Sequence, residues 1–451
     1  MCVRFSQLDG ARIGVWGAGR EIASLADQLA RRLPTARIVA AAFDAPPSEL
    51  ALASLRSPEV RVLGVEQAVA GLRDCDVVVR SPGVSIHRPE LIALREAGVA
   101  VTTATALWLA EHGGGGVVGV TGTKGKSTTA ALTLQLARGA GRTAALAGNI
   151  GAPALDLLDG EPSEVVVLEL SSYQIADLAS GPEVAVVTNL FREHTDWHGS
   201  EEAYAADKLR LLELPGVRVA VLNARDERLA ALVPGIEVVR YGSPDGWDAS
   251  AAGVSFAGEA VIAADTLALP GEHNALNVCA ALAALEALGV AVADPGSTLA
   301  GFAPLPHRLQ SIGEREGVMW VDDSISTTPE SALAALASFR GRRVVLIGGG
   351  QDRGQDYGAL AGALAAHGAS VIGVPSTGPR LVDAARAAGV AEEDALQAGD
   401  LMAAVELARR LASAGDVVLL SPAAPSYDHY RDFEQRGDLF AALAAGEPPP
   451  D

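Results

Sequence analysis

Thr121-Gly122-Thr123-Lys124-Gly125-Lys126-Ser127-Thr128-Thr129 follows the apolar run 117–120 and opens a helix-like stretch at 130–138. The order strand, Gly-rich turn, helix is what a phosphate-binding loop needs. Backbone N–H groups and the helix N-terminus face a polyphosphate, a lysine reaches its outer oxygens, and a hydroxyl ligates Mg²⁺. Lys126 is the candidate phosphate lysine, and Ser127 or Thr128 the candidate Mg²⁺ hydroxyl. The loop is short: a standard one carries its first Gly where Val120 stands, and here the first is Gly122. A Gly/Lys-rich surface turn is the plain alternative, and the flanking strand and helix argue against it.

A chain of 451 residues exceeds what one hydrophobic core supports, so two to four domains are expected. The formal net charge of -20, with basic residues dispersed, argues against nucleic acid or anionic membranes as partners. A phosphorylated ligand must then be met locally, by helix N-termini, single Lys or Arg residues and Mg²⁺. Cys2, Cys75 and Cys279 form no paired motif, which fits a reducing compartment and not a structural zinc site. The N-terminus lacks the apolar stretch of a signal peptide, and no apolar run reaches the ~18 residues of a membrane span. A cytoplasmic protein without membrane insertion is expected.

Short apolar runs alternate with Ala- and Leu-rich helical stretches: 12–16, 38–43, 76–79, 117–121, 165–170, 184–189, 217–223, 343–347, 370–374 and 417–421. Runs without polar alternation suit strands buried on both faces of a parallel sheet. The alternation with helices predicts α/β domains whose sites lie at the carboxyl ends of strands. Three segments emerge, ending near Glu111, near Ala303 and at the C-terminus.

The first segment carries Gly17-Ala18-Gly19 after a strand. This is a partial dinucleotide fingerprint without its third Gly, weak evidence for NAD and better evidence for a helix N-terminus that takes pyrophosphate. Asp44 and Ser81-Pro82-Gly83 also follow strands, although ordinary β-α turns explain each alone equally well. In the second segment Glu169 ends an apolar run, where a carboxylate needs a metal or a basic partner. Gly148-Asn149-Ile150-Gly151 is a polar break. His194 and His198 could hold Zn on one helix face, but no Glu follows the first His, and the phosphate loop favours Mg²⁺. Lys208 lies downstream. Asn274 and Asn277 share a helix face and could read a base or ribose, or cap the helix. In the third segment His307-Arg308, Asp322-Asp323-Ser324-Ile325-Ser326-Thr327-Thr328, 348–354 and 421–428 could converge on one mouth. They offer cations, hydroxyls and amides suited to a small dicarboxylate.

Together these residues resemble the Mur ligases, over nearly the whole chain and in the same order, including that family's own shortened loop at 122–128. The resemblance implies three α/β domains: a Rossmann-like UDP-substrate domain (1–111), a central P-loop ATPase with a mostly parallel sheet (112–303) and a Rossmann-like, glutamate-binding C-terminal domain (304–451). It implies that Gly122, Thr123, Lys124, Gly125, Lys126, Ser127 and Thr128 hold ATP. Glu169 and Ser127 would hold one Mg²⁺ and His194 a second, supported by Lys208, which matches a carbamylated lysine. Lys126, His194 and Lys208 would be catalytic. Asn274, Asn277, Arg308 and Asp323 would frame the adenosine and γ-phosphate. Gly17, Gly19, Asp44, Ser81 and Gly83 would take the UDP part, and Asn149 the muramoyl part. The implied activity is peptidoglycan precursor synthesis by a monomer. ATP phosphorylates the free carboxylate of UDP-N-acetylmuramoyl-L-alanine, and the amine of glutamate attacks the acyl phosphate.

Three departures bear on the amino acid. Ile325 and Arg353 stand where members that add D-glutamate carry Lys, and Ala424-Pro425-Ser426 stands where they read Cys-Ala-Ser. Arg for Lys exchanges a point charge for a planar fork. The combination resembles the group that adds L-glutamate, with Thr327, Arg353, Ser426 and Phe433 as its contacts. The alternatives are the same ligation with D-glutamate and a folylpolyglutamate synthase-like ligase, which the first segment counts against. An NAD-dependent oxidoreductase would leave the phosphate loop unexplained. A non-catalytic nucleotide-controlled binding protein would not need Glu169, His194 and Lys208 together.

Overall fold

Apolar runs without alternation become strands covered on both faces. The computed structural model describes residues 2–447 except 45, 48, 58, 191–199, 268–270, 303–305, 340 and 353. His194 and Arg353 therefore lie outside the described residues. The chain divides into two units, Met1–Ala303 and Pro304–Asp451.

The first unit opens with a parallel sheet of β1 (Arg12–Trp16), β2 (Arg37–Phe43), β3 (Arg61–Gly64), β4 (Val77–Arg80) and β5 (Ala100–Thr102), in the order β3-β2-β1-β4-β5. The chain leaves β1 outward to one side and returns to its other side at β4. The loops after β1 and β4 thus flank a crevice of the kind that binds ligands in open α/β sheets. A second parallel sheet follows, of β6 (Val117–Thr121), β7 (Ala144–Gly148), β8 (Val165–Glu169), β9 (Val184–Val187), β10 (Val219–Asn223) and β11 (Glu237–Tyr241), ordered β11-β10-β9-β6-β8-β7. One continuous core joins the two sheets, with Val15, Leu25, Leu107, Leu155, Leu168 and Leu178 among its members. A small antiparallel sheet, β12 (Trp247–Ser250), β13 (Gly253–Phe256) and β14 (Glu259–Ala263), packs on the helix Glu272–Ala287. Its strands are short and half-exposed, so no apolar run announces them.

The second unit is one sheet of β15 (Gln310–Arg315), β16 (Val318–Asp322), β17 (Val344–Gly348), β18 (Ser370–Gly373), β19 (Ala395–Gln397) and β20 (Val417–Leu420), ordered β15-β16-β20-β17-β18-β19. Only the edge strand β15 is antiparallel. Separate cores cover its two faces, built around Val371 and Leu419 on one and Ile347 and Val418 on the other. Among the described residues no helix is long and apolar enough to cross a membrane.

Candidate active site

Parallel register brings the carboxyl ends of neighbouring strands to one edge. In the central sheet Val120 of β6 pairs with Glu169 of β8, and Thr121 pairs with Val187 of β9. The phosphate loop therefore lies between Glu169 on one side and Thr188-Asn189 on the other. Gly122 adopts φ +138°, and a Cβ there would run into Thr188 Oγ1, with the Thr188 and Asn189 amides at 3.0 and 3.1 Å. This close approach is why the loop's first Gly stands at 122, while Val120 remains a buried strand residue.

The loop is held before any ligand arrives. The Thr123 amide donates to Asn189 O at 2.9 Å and the Lys124 amide to Asn189 Oδ1 at 2.8 Å. Thr188 Oγ1 and Asn189 Nδ2 both donate to Lys124 O, at 2.6 and 3.0 Å. Gly125 caps the helix Lys126–Gly139 in the left-handed conformation. Lys126 Nζ donates to Thr123 O at 2.9 Å, folding the lysine back over the loop. Asn277 accepts from Thr129 Oγ1 and donates to Asn274 at 3.4 Å, so both asparagines sit against the loop's helix. Gly125, Asn189, Arg225, Tyr241, His273 and Asn277 line a cleft of about 620 Å³ beside it. Of the predicted nucleotide residues, Lys124, Gly125 and Asn277 line this cleft, and Asn274 is hydrogen-bonded to Asn277.

Glu169 is 1% exposed. Its Oε1 accepts from Asn149 Nδ2 at 2.8 Å, and its Oε2 is buried without a partner. Asn149, expected on the muramoyl substrate, therefore also orients this carboxylate. Ser127 is 1% exposed at the start of the loop's helix. An orphaned carboxylate oxygen at the end of the strand next to the phosphate loop's own fits a hard divalent cation that keeps nucleotide oxygens in its shell. Among the described residues no three His, Cys, Asp or Glu side chains cluster as a metal site. Lys208, 2% exposed on the helix Glu201–Leu209, holds its Nζ 4.7 Å from the Tyr204 ring centre. Tyr204 OH lies 3.1 Å from Thr123 Oγ1, so this helix touches the phosphate loop directly.

In the first sheet, Gly17, Gly19 and Ser81 meet at the crevice between β1 and β4. A Cβ on Gly17 would come within 2.7 Å of Ser81 Oγ, and the Gly19 amide donates to that oxygen at 3.4 Å. Gly83 lies in the same turn. Asp44 accepts from Trp16 Nε1 at 3.1 Å and Arg88 Nη1 at 2.6 Å, so it already serves as a structural acceptor.

In the second unit, three loops interlock at the ends of β16, β17 and β20. Asp323 N donates to Leu420 O, Ala423 N to Ser326 O and Gln351 N to Pro425 O, at 2.8 to 2.9 Å. Asp323, 2% exposed, accepts from Ser421 Oγ at 2.8 Å and Leu309 N at 3.1 Å, and burial pushes its carboxyl up to about 6. That second contact ties it to the strand end after Arg308. Burial works against a charged His307, but Asp322 at 2.7 Å outweighs this and holds its pKa above the ordinary value. Phe433 lies edge-on to His307, with centroids 6.1 Å apart. Ser426 is buried and Thr327 half-buried in these loops. Buried Arg436 braces them through Ser324 O at 2.8 Å and Ala424 O at 3.2 Å.

Several of these residues escape a reading of motifs. Thr188, Asn189 and Tyr204 bond to the loop from distant sequence and carry no pattern.

Comparison with known proteins agrees with this arrangement. Residues 120–285 match the Mur ligase middle domain, and residues 307–424 match the Mur ligase glutamate ligase domain. The UDP-N-acetylmuramoyl-L-alanine–L-glutamate ligase of Xylella fastidiosa is 43% identical over 99% of this chain and 97% of its own length. That of a Micromonospora species is 43% identical over 99% and 100%. Among solved structures, a murein peptide ligase from Psychrobacter arcticus superposes with a TM-score of 0.57 at 20% identity, covering 96% of this chain and 99% of its own, which shows a shared fold. Identity of this degree, sustained from end to end, makes the chain a member of the Mur ligase family.

Proposed function

We propose that this protein joins L-glutamate to UDP-N-acetylmuramoyl-L-alanine with ATP, through an acyl phosphate, in cytoplasmic peptidoglycan precursor synthesis. The observation that carries this reading is Glu169: a buried carboxylate with one orphaned oxygen, one strand over from a phosphate loop. Full-length relatives bearing that name support the choice of substrates.

The chemistry requires an anionic carboxylate to approach an anionic γ-phosphate. Loop amides and Lys126 would draw charge from the phosphates. Glu169 and Ser127 would hold Mg²⁺ against the nucleotide, and this ion supplies charge neutralisation at the transferring group. His194 is assigned to a second ion. Lys208, buried on the helix whose Tyr204 touches the phosphate loop, would support that second site. Its neutral amine would add CO₂ and release a proton, giving a carbamate anion able to support the metal. Asn149 would meet the muramoyl part, and Gly17, Gly19, Asp44, Ser81 and Gly83 the UDP part. Asn274, Asn277, Arg308 and Asp323 would frame the adenosine and γ-phosphate, and Thr327, Arg353, Ser426 and Phe433 the glutamate. The three domains would divide near 111 and 303.

The test is phosphate release with ATP, Mg²⁺ and UDP-N-acetylmuramoyl-L-alanine, comparing the glutamate isomers. Turnover with L-glutamate alone is expected. Turnover with only the D isomer would overturn the choice of amino acid, and none with either would overturn the reaction. Lys208→Ala should lose activity and regain part of it with added short carboxylates; full activity without them would count against the carbamate.

A further inference from the structure

The turn at 171–178 runs on from Glu169, and nothing above assigns it a role. Three arginines from three elements converge on it. Arg80, 0% exposed at the end of β4, donates Nε to Asp177 Oδ2 at 2.6 Å and Nη2 to Tyr173 O at 2.7 Å. Its Nη1 reaches the other way, to the carbonyls of Val84 at 2.7 Å, Pro82 at 2.9 Å and Ser81 at 3.3 Å. Arg95 donates to Asp177 Oδ1 at 3.0 Å and to Ile86 O at 3.1 Å. Arg210, two residues beyond Lys208, donates Nη1 to Ile175 O at 2.7 Å and Nη2 to Leu178 O at 2.9 Å.

A buried ion pair is a poor device for stability, because desolvation offsets its Coulomb gain and apolar residues fill the same space as well. Its particular effect is to fix geometry. Arg80 spends its donors on the carbonyls of one loop and on groups across the layer, so the loop's height relative to Glu169 is set by one rigid fork. Arg210 does the same for the helix that ends beside it.

We propose that the turn at 171–178 is a registering hub with Arg80 and Arg210 as positioning residues. Arg80 ties the 81–84 loop, and Arg210 the helix that carries Lys208, to the turn that follows Glu169. This rests on the proposed function, which makes the 81–84 loop part of the UDP site and Glu169 and Lys208 parts of the metal site.

The test uses the full-length protein with wild type in parallel. Arg80→Lys keeps a charge for Asp177 but lacks the fork that reaches the loop carbonyls. Its Kd for UDP-N-acetylmuramoyl-L-alanine, measured by calorimetry without ATP, should rise about 5- to 50-fold, while its Kd for MgADP stays within about twofold. Arg210→Met should lower kcat about 10- to 100-fold and raise the half-saturating Mg²⁺ concentration at least about fivefold, with Arg210→Lys falling between it and wild type. A merely structural role would lower the melting temperature and leave these selective shifts absent. Folded variants that bind the UDP substrate and use Mg²⁺ as wild type does would overturn the hub. If Arg80→Lys does not fold, the Arg210 pair decides. A wild type that fails to ligate counts against the function instead, and its calorimetric arm still reads the Arg80 effect.

Discussion

Two Gly-rich turns in the first unit look alike in sequence and are built differently. After β1, Gly17 has φ +87°, but Gly19 has φ -78°, and a Cβ on Gly19 would meet nothing nearer than Ser81 Oγ at 3.7 Å. After β6, Gly122 and Gly125 both take positive φ, and each is closed on by a neighbour: Gly122 by Thr188 and Asn189, Gly125 by Asn277 Oδ1 at 2.5 Å from where a Cβ would sit. The helices that follow differ in the same sense. One begins Lys126-Ser127, with the lysine folded onto Thr123 O; the other begins Arg20-Glu21, with Arg20 donating to Asn149 O and Gly151 O at 3.2 Å. Glu21 stands in the first turn of that helix, where the other presents Ser127. The second turn is thus closed on by neighbours at both glycines, while in the first only Gly17 is closed on, by Ser81, and Gly19 stands open.

The largest expected effect separates the two turns by chemistry. Lys126→Ala should reduce kcat by about 10²- to 10³-fold or more, since on the proposed function it removes the charge that would act on the transferring phosphate. Arg20→Ala, at the matching position of the other helix, should leave kcat and the KM for ATP within about twofold, because Arg20 is bonded to the carbonyls of Asn149 and Gly151 and not to the phosphate loop's Thr123 as Lys126 is. Steady-state kinetics on both variants check this, and a matching fall in kcat for Arg20→Ala would erase the distinction.

A smaller effect separates them by sterics. Gly122→Ala meets Thr188 and two backbone amides in a conformation that suits glycine, and should cost about 3 kcal/mol of stability along with nucleotide binding. Gly19→Ala has ordinary φ and open space, and should change stability by less than about 1 kcal/mol. Denaturant midpoints of the two variants measure the contrast; a Gly19→Ala as damaging as Gly122→Ala would show that the first turn is equally closed.

How much of this was legible depends on whether a contact lies within one motif. The strand at 117–121, its helix and the role of Gly125 follow from local pattern, because apolar β-branched residues and an Ala/Leu helix leave little choice. The reason for Gly122 does not, because Thr188 and Asn189 reach it from another strand's end. Asn149 was read from its polar setting, but its bond to Glu169 depends on β7 and β8 being neighbours, which spacing alone does not give. Two predicted strands run past the ladder: 165–170 closes at Glu169 and 184–189 at Val187, because Leu170 and Thr188 stay buried beyond the last paired residue. The antiparallel strands β12–β14 are half-exposed and carry no apolar run, so the pattern does not mark them.

Glu21 gives the smallest expected effect, and it sharpens what the first turn is. Its Oε1 accepts from Gln174 Nε2 at 2.6 Å and Thr105 Oγ1 at 3.1 Å, but its Oε2 is buried without a partner. Burial outweighs these hydrogen bonds and holds the carboxyl above its ordinary 4.5. The native state then keeps a proton that the unfolded chain has released, so stability falls as pH rises from about 4.5 through the raised native value and stays low beyond it. Glu21→Gln keeps an oxygen for both donors and cannot ionise. It should match wild type near pH 4 and exceed it at pH 8 by about 1–3 kcal/mol, the cost of a buried unsatisfied polar group. Melting curves at the two pH values decide. A difference that is flat with pH would mean Glu21 is not buried as an acid, and a Gln variant less stable at pH 8 would mean the carboxylate has a partner there. The expected outcome identifies the first turn as one whose helix start is occupied by the protein's own acid, in the position where the second turn presents Ser127.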